Sequence, residues 1–379
     1  MSKVSKHLSA VFLGLGALVL GAMPLQAENN EKVDLHIDLA NSLNSDFSGS
    51  EYQGTHFKNN VLRFAVHGGL TENISYSFRQ ALWKDPSVNS VERLANQIEL
   101  ANVTYRPSDK LALTLGKQFL SFGGWEHNVN ILRIKEFSEF VGAIACWQTG
   151  VSAAWQLNDN HEMIFQLLNG HGKTEAEWYT SSLEEAGLKE AKTPLMALVN
   201  WNGYFVDKTC HFRYAASMLP VAQGKYAYYL TAANIYQNGP LFATLDVMYS
   251  REDVDHLGRL SALQSHVMQN VQYLSFIANV EYAFHPQWNA VLKGAYETTD
   301  VFKEADAVIP NYQQGRYLNQ WHVQGGLEFM PIAAKPELKF YAWYVYKVTQ
   351  ATNLGKYYHI DDSDIQRISL GMTYTIDVL

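Results

Sequence analysis

The sequence Ile365-Gln-Arg-Ile-Ser-Leu-Gly-Met-Thr-Tyr-Thr-Ile-Asp-Val-Leu379 ends the chain and decides its fold. From Ile368 to Val378 every second residue is apolar or aromatic, and the residues between them are polar or glycine. Strict alternation of this length predicts a strand with one apolar face and one polar face. The apolar face therefore needs lipid or a protein core to cover it.

The order of residues within this strand is more specific than its alternation. The run from Ser369 to Ile376 resembles the C-terminal targeting signal of bacterial outer-membrane barrels, with polar, glycine, aromatic and apolar residues at fixed spacing. That resemblance implies that the last strand closes a barrel against the first strand.

The amino terminus has the pattern of a secretory signal peptide. Lys3 and Lys6 precede an apolar run over residues 11–20, and Leu25-Gln-Ala27 is an acceptable cleavage triplet. We expect cleavage after Ala27, which makes residues 1–27 the signal peptide and residues 28–379 one mature domain. No later stretch approaches the ~18 consecutive apolar residues of a spanning helix, so an exported chain is either soluble or a barrel.

Composition narrows the possible partners. The formal charge is −8 for the whole chain, and the removed segment carries two lysines and no acidic residue. An acidic mature chain is not expected to bind nucleic acid. Its 22 Tyr and 9 Trp suit aromatic girdles at two membrane interfaces. Outer-membrane lipid is thus the expected environment.

Sixteen runs of about ten alternating residues follow residue 28, and polar connecting segments separate them. The connections after even-numbered runs are brief, as at 71–73 and 158–160, whereas most of those after odd-numbered runs are long, as at 41–59 and 118–146. This segregation predicts an all-β fold, a sixteen-stranded antiparallel transmembrane barrel with both termini in the periplasm. It also places Cys146 and Cys210 at opposite ends of a barrel roughly 25 Å tall, too far apart for a disulfide.

No pattern in the chain predicts catalysis, a metal site or a cofactor. Asp34, His36 and Asp38 share one strand face, but ligands spread along one strand converge poorly on an ion, and groups facing a wet lumen are the simpler interpretation. The acidic run 361–364 lacks calcium-loop spacing and is read as a solvated loop. Gly150-Val-Ser152 lies inside a strand and lacks the second glycine of a nucleophile elbow.

The longest connection, residues 118–146, has the composition of a loop that folds inward. Gly123-Gly124 permits a sharp reversal, and the apolar residues that follow would hardly stand exposed in water. Packing against the inner barrel wall would make this third loop a constriction. The alternative is an apolar cap for a neighbouring subunit or surface protein. The apolar residues are Ile131, Leu132, Ile134, Phe137 and Phe140.

The chain resembles the phosphate-selective porin O and P family in several short motifs. These are the run from Gly116 to Gly123 after the fifth strand, Leu167-Leu-Asn-Gly170 after the seventh, and sixteen strands with a C-terminal aromatic signal. The resemblance implies a homotrimeric channel with an inward-folded third loop. It also implies a preference for anions, which the best-known members achieve with a ladder of arginines.

We therefore predict an outer-membrane porin of a Gram-negative bacterium through which small hydrophilic solutes or ions diffuse passively, and the family resemblance implies a preference for anions such as phosphate. One alternative is a carbohydrate-preferring porin, in which Tyr341, Trp343, Tyr226 or Tyr228 line a stacking path. Another is a surface binding or adhesion protein that uses the long loops. An enzyme is not expected.

The alternation also predicts which charges line the pore. Arg63, Arg79 and Arg367 point inward, and we expect the third loop to face them with Glu126, Glu136 and Glu139 across a narrow opening. The other candidate lumen residues are Arg133 and Lys135 in the same loop. The alternative is that the arginines pair with lumen acids such as Asp34 or Glu99.

Overall fold

The computed structural model describes residues 33–179, 183–304 and 312–379, so the expected signal peptide lies outside the described residues. Sixteen antiparallel strands close into a barrel and follow one another around it in sequence order. The strands are β1 Asp34–Ser48, β2 Glu51–Thr71, β3 Ile74–Ala81, β4 Ile98–Ser108, β5 Leu111–Phe119, β6 Trp147–Asn158, β7 His161–Asn169, β8 Leu195–Phe205, β9 Cys210–Ala222, β10 Lys225–Asn238, β11 Leu241–Val254, β12 Gln269–His285, β13 Trp288–Val301, β14 Gly315–Phe329, β15 Lys339–Ala351 and β16 Ser363–Asp377.

The last strand closes the barrel as its sequence predicts. β16 pairs with β1 in a continuous antiparallel register from His36 opposite Asp377 to Ser48 opposite Ile365. On the inner face of this seam the Thr375 hydroxyl donates to Asp38 Oδ1 over 2.8 Å. Closure leaves no open sheet edge at the seam, which lipid could not solvate.

The two faces of the wall differ as the alternation predicts. On neighbouring strands Leu115, Val151 and Leu167 point outward and are 46–65% exposed, as lipid-facing groups of an isolated barrel would be. Inward neighbours such as Gln118 and Gln166 are buried and polar. An exposed aromatic row lies near the short turns and fits a girdle at one membrane interface. Its members are Tyr105, Trp155, Tyr214, Tyr282, Trp288 and Phe340.

Short turns follow the even-numbered strands, and most connections after odd-numbered strands are long. The prediction of a long first loop over 41–59 is wrong. β1 continues to Ser48, β2 begins at Glu51, and a two-residue turn joins them. Polar residues obscure the alternation here because β2 is exposed at nearly every position over residues 51–59, and two bulges shift the register of the hairpin.

The long connections carry short helices and fill part of the barrel. The helices are α1 Trp125–Asn128, a 3₁₀ turn Ile131–Arg133, α2 Glu139–Ala143, α3 Glu175–Trp178, α4 Arg259–Gln264 and α5 Asn353–Tyr357. The largest hydrophobic cluster joins residues of several loops to the upper parts of the strands. It includes Phe122 and Phe140 of the third loop, Leu260 of the β11–β12 loop and Tyr229 of β10.

Among the described residues, no helix has the length and apolar character needed to cross a bilayer.

The third loop and the pore lining

The third loop, residues 120–146, folds inward. It reverses at Gly123, whose φ of +85° is a backbone conformation that favours glycine. Phe140 and Val141, in α2, are buried in the main hydrophobic cluster, and Trp125 is buried in a second one with Ala233 of β10. The loop is thus held by apolar packing within the barrel, as its composition predicts.

A buried ion pair fixes the first half of the loop to the wall. Glu126 is fully buried and pairs with Lys293 of β13, whose side chain is 2% exposed. Glu126 also accepts hydrogen bonds from the backbone N–H and the hydroxyl of Ser138, at 2.9 and 2.6 Å. Its own backbone N–H donates to Asp246 of β11. One carboxylate therefore joins both halves of the loop to the barrel.

The tip of the loop carries two cations followed by two acids, and each of the four meets an opposite charge on the wall. Arg133 pairs with Glu281 of β12 at 2.8 Å, and Lys135 with Glu328 of β14 at 3.5 Å. Further pairs reach the next strands: Glu136 with Lys347 of β15 at 2.7 Å and with Arg367 of β16 at 2.9 Å, and Glu139 with Lys347 at 3.0 Å. The loop therefore docks on the wall from β11 to β16.

A second charged cluster lies on the opposite wall, around Glu99 of β4. The Glu99 carboxylate, which is fully buried, lies 3.0 Å from Arg63 Nε, 3.0 Å from Arg79 Nε and 2.8 Å from Lys84 Nζ. Arg63 also approaches Asp38 at 3.7 Å. The three cations thus share two carboxylates.

The rings of two tryptophans contact the same three cations. Lys84 Nζ lies 4.1 Å from the ring centroid of Trp147, and Arg79 Cζ lies 5.4 Å from it. The Arg63 guanidinium lies 5.5 Å from the ring of Trp83. Cation–π contacts at these distances help to hold the side chains in position. We call Arg63, Arg79, Lys84, Glu99, Trp83 and Trp147 the basic cluster.

A cavity of about 470 Å³ separates the basic cluster from the third loop. The wall contributes Arg63, Arg79 and Lys84, with Lys117 of β5 and Lys173 of the β7–β8 loop beside them. On the other side the loop contributes uncharged residues, among them Asn128, Ile131 and Phe137. Asp38 is the acidic residue among those lining this cavity, and Glu99 does not line it.

The family model of phosphate-selective porin O and P matches residues 32–376, nearly the whole chain. The chain belongs to this family. It is a porin of the Gram-negative outer membrane, a channel through which solutes diffuse passively. No curated protein sequence matches it significantly.

Solved structures share the fold of this porin at low sequence identity. The outer-membrane channel DcaP of Acinetobacter baumannii aligns with a TM-score of 0.60 and 10% identity, covering 93% of this chain and 99% of that one. An anion-selective porin from Comamonas acidovorans gives 0.57 and 8%, with 91% and 99% covered. A trimer form of OmpT from Vibrio cholerae gives 0.54 and 12%, with 91% and 99% covered.

The charged residues predicted to line the lumen of the porin form ion pairs that differ in part from the predicted ones. Glu136 pairs with Arg367 of β16, one of the three arginines expected to face the loop acids. Glu126 and Glu139 do not face Arg63 and Arg79, because they pair with Lys293 and Lys347. Arg63 and Arg79 instead pair with Glu99, which was the alternative. Asp34 approaches His36 rather than an arginine. Any effect of these charges on permeating ions stays a prediction.

Several lining residues of the porin were not predicted from the sequence. Lys84 and Trp83 follow β3 in a connection that reads as an exposed loop, and Trp147 begins β6. The one available signal is that Trp83 continues the inward alternation of Arg79 and Ala81. Lys117 and Lys173 reach the cavity from β5 and the β7–β8 loop, and nothing in their local sequence distinguishes them.

The aromatic residues considered for a sugar path do not line the cavity. Tyr341 and Trp343 are 7% and 4% exposed, and Lys135 of the third loop lies 4.5 Å from the Tyr341 ring. Tyr228 points outward and is 43% exposed.

The acidic run over residues 361–364 is tied to its own surroundings. Asp362 accepts a hydrogen bond from the backbone N–H of Ala351 and pairs with Lys356. Among the described residues, no group of three potential ligands is arranged to hold a metal ion.

The extracellular mouth contains a buried aromatic stack between two loops. His256, in the loop after β11, stacks on Trp178 of α3 with ring centroids 5.2 Å apart, and its Nδ1 lies 2.8 Å from the Tyr229 hydroxyl. Burial lowers the pKa of His256 to about 3, and nearby His171 acts in the same direction. Burial raises the pKa of the neighbouring Asp255 carboxyl. His256 is therefore neutral in this contact.

Proposed function

We propose that this porin passes small anions in preference to cations. The observation that carries the proposal is the charge of the cavity lining, where Arg63, Arg79, Lys84 and Lys173 converge with Asp38 as the acidic member, while Lys117 beside them is paired with the buried side chain of Glu92. The net charge of −8 belongs to the whole chain and does not describe this passage. A local excess of cations raises the concentration of anions in a channel and lowers that of cations.

The dimensions of the cavity make this local charge effective. Charges in water are screened over about 8 Å at physiological salt. In a cavity of about 470 Å³, a passing ion stays within that distance of several lining groups. The low-dielectric protein wall around the cavity further strengthens the interaction.

Reversal potentials across a planar bilayer in a KCl gradient test the proposal. The expected sign is that of chloride selectivity. Replacing Lys84 by Gln should lower the chloride-to-potassium permeability ratio by roughly twofold to threefold, because Lys84 is the most exposed cation of the basic cluster, at 24%. Lys110→Gln, in an exposed periplasmic turn, is the matched control. A potassium-selective wild-type channel would contradict the proposal.

The carbohydrate alternative has little support, because the rings that would form a stacking path lie outside the lining of the cavity. An adhesion role for the loops has no specific observation in its favour, since the third loop packs inside the barrel.

We also propose a homotrimer and export by cleavage after Ala27. The trimer form of Vibrio cholerae OmpT supports the first, and the short apolar run before Ala27 supports the second. Protein extracted in mild detergent should run as an oligomer before heating and as a monomer after it. Terminal sequencing should begin at Glu28. A monomer at all detergent concentrations, or a retained leader, would contradict the respective proposal.

A further inference from the structure

We infer that Glu99, which does not line the passage, sets the strength of its anion preference. This inference rests on the proposed function and assigns a selectivity-determining role to a buried carboxylate. Its basis is the arrangement of the basic cluster, in which the cations face the cavity and the acid that holds them does not.

The geometry makes Glu99 the common partner of all three cations. Its two carboxylate oxygens lie 2.8–3.0 Å from Arg63, Arg79 and Lys84, which come from β2, β3 and the segment after β3. The carboxylate is 0% exposed, whereas Arg79 and Lys84 are 12% and 24% exposed. A passing ion therefore meets the cations directly and Glu99 only through them.

The charge balance determines what Glu99 does to the passage. Three cations face two carboxylates, Glu99 and Asp38, so the group carries one net positive charge. Glu99 holds the three cations in position, and its negative charge also weakens the positive electrostatic field that they produce in the passage. Replacing Glu99 by Gln keeps its size and one acceptor oxygen, replaces the other oxygen by an NH2 donor, and raises the net charge of the group to two.

Glu162 provides a matched comparison. It lies on β7, is also buried, and accepts a hydrogen bond of 2.7 Å from the Asn202 amide. It does not line the cavity and is not among the acids of the basic cluster. Glu162→Gln removes the same charge from the same barrel at another place. Any general effect of chain charge on selectivity appears equally in both variants.

The experiment compares reversal potentials of the wild type, E99Q and E162Q in the same KCl gradient. We expect E99Q to raise the chloride-to-potassium permeability ratio by roughly threefold or more, because one unscreened charge near the passage has that effect at contact distances. E162Q should change the ratio by a clearly smaller factor. Equal shifts in E99Q and E162Q, or a shift of E99Q toward potassium, would overturn the inference.

A charge-balanced double variant separates the effect of the Glu99 charge from any loss of folding caused by E99Q. In E99Q/K84Q a cation is removed with the acid, so its ratio should return close to that of the wild type and exceed that of K84Q alone. If K84Q and E99Q/K84Q have the same ratio, Glu99 does not act on permeating ions. The proposed function is judged separately, by the sign of the wild-type reversal potential, and the Glu99 shift can be measured whichever sign is found.

Discussion

At the scale of single residues, stability and selectivity depend on buried charges with defined partners. Lys293 and Glu126 are 2% and 0% exposed, and their pair links the third loop to β13. Removing one member of such a pair leaves a charge in a low-dielectric site, which costs far more than an exposed pair contributes.

Lys293→Met should therefore destabilise the loop and lower the thermal unfolding temperature of the barrel. Loss of one partner of a buried ion pair costs about 3–5 kcal/mol. Thermal unfolding in detergent, followed by circular dichroism, measures the shift, with Lys110→Met in an exposed turn as control. If the two variants unfold at the same temperature, the pair does not anchor the loop.

The loop contact at the mouth should depend on pH through His256. Its pKa is lowered to about 3, so the neutral ring stabilises the contact near neutral pH, and this stabilisation is lost as pH falls below about 6.5 toward 3. Asp255, whose pKa is raised, acts with the opposite sign and stabilises the contact more at low pH.

His256→Phe separates the two contributions, because Asp255 titrates in both proteins. Hydrogen exchange of residues 255–264, corrected for the intrinsic pH dependence, should rise between pH 7 and pH 4 more in the wild type than in the variant. Equal changes in the two proteins would show that His256 does not control this contact.

At the scale of elements, the sequence was informative wherever one face of a strand meets lipid. Alternation predicted β16 and its pairing with β1, and the composition of residues 118–146 predicted an inward-folded loop. The position of the loop tip was not predictable, because it depends on single charges that come from β12 to β16 and are distant in the sequence. The β1–β2 hairpin was missed because residues 51–59 of β2 are mostly polar and exposed on both faces, which removes the alternation.

Glu136 is the most connected charge of the loop tip, with Lys347 at 2.7 Å and Arg367 at 2.9 Å. Glu136→Gln should loosen the tip from β15 and β16 and increase the open-channel current noise. Asp159→Asn, in an exposed periplasmic turn, should leave the noise unchanged. An equally quiet current from Glu136→Gln would show that these pairs are dispensable for holding the loop.

At the scale of the whole molecule, the barrel separates two tasks. The wall from β11 to β16 holds the third loop, and the wall from β1 to β5 supplies the charged lining opposite it. This division leaves a cavity along one side of the lumen. It also explains how an acidic chain can present a basic passage, since most of its acids are exposed elsewhere or paired.

Single-channel recording of the folded wild-type protein in a planar bilayer tests most directly whether this cavity belongs to a continuous aqueous path. We expect discrete conductance steps that increase linearly with voltage and with salt concentration, as for diffusion through water. Correctly folded, heat-modifiable protein that inserts into the bilayer and gives no conductance would contradict a passage between the third loop and the β1–β5 wall.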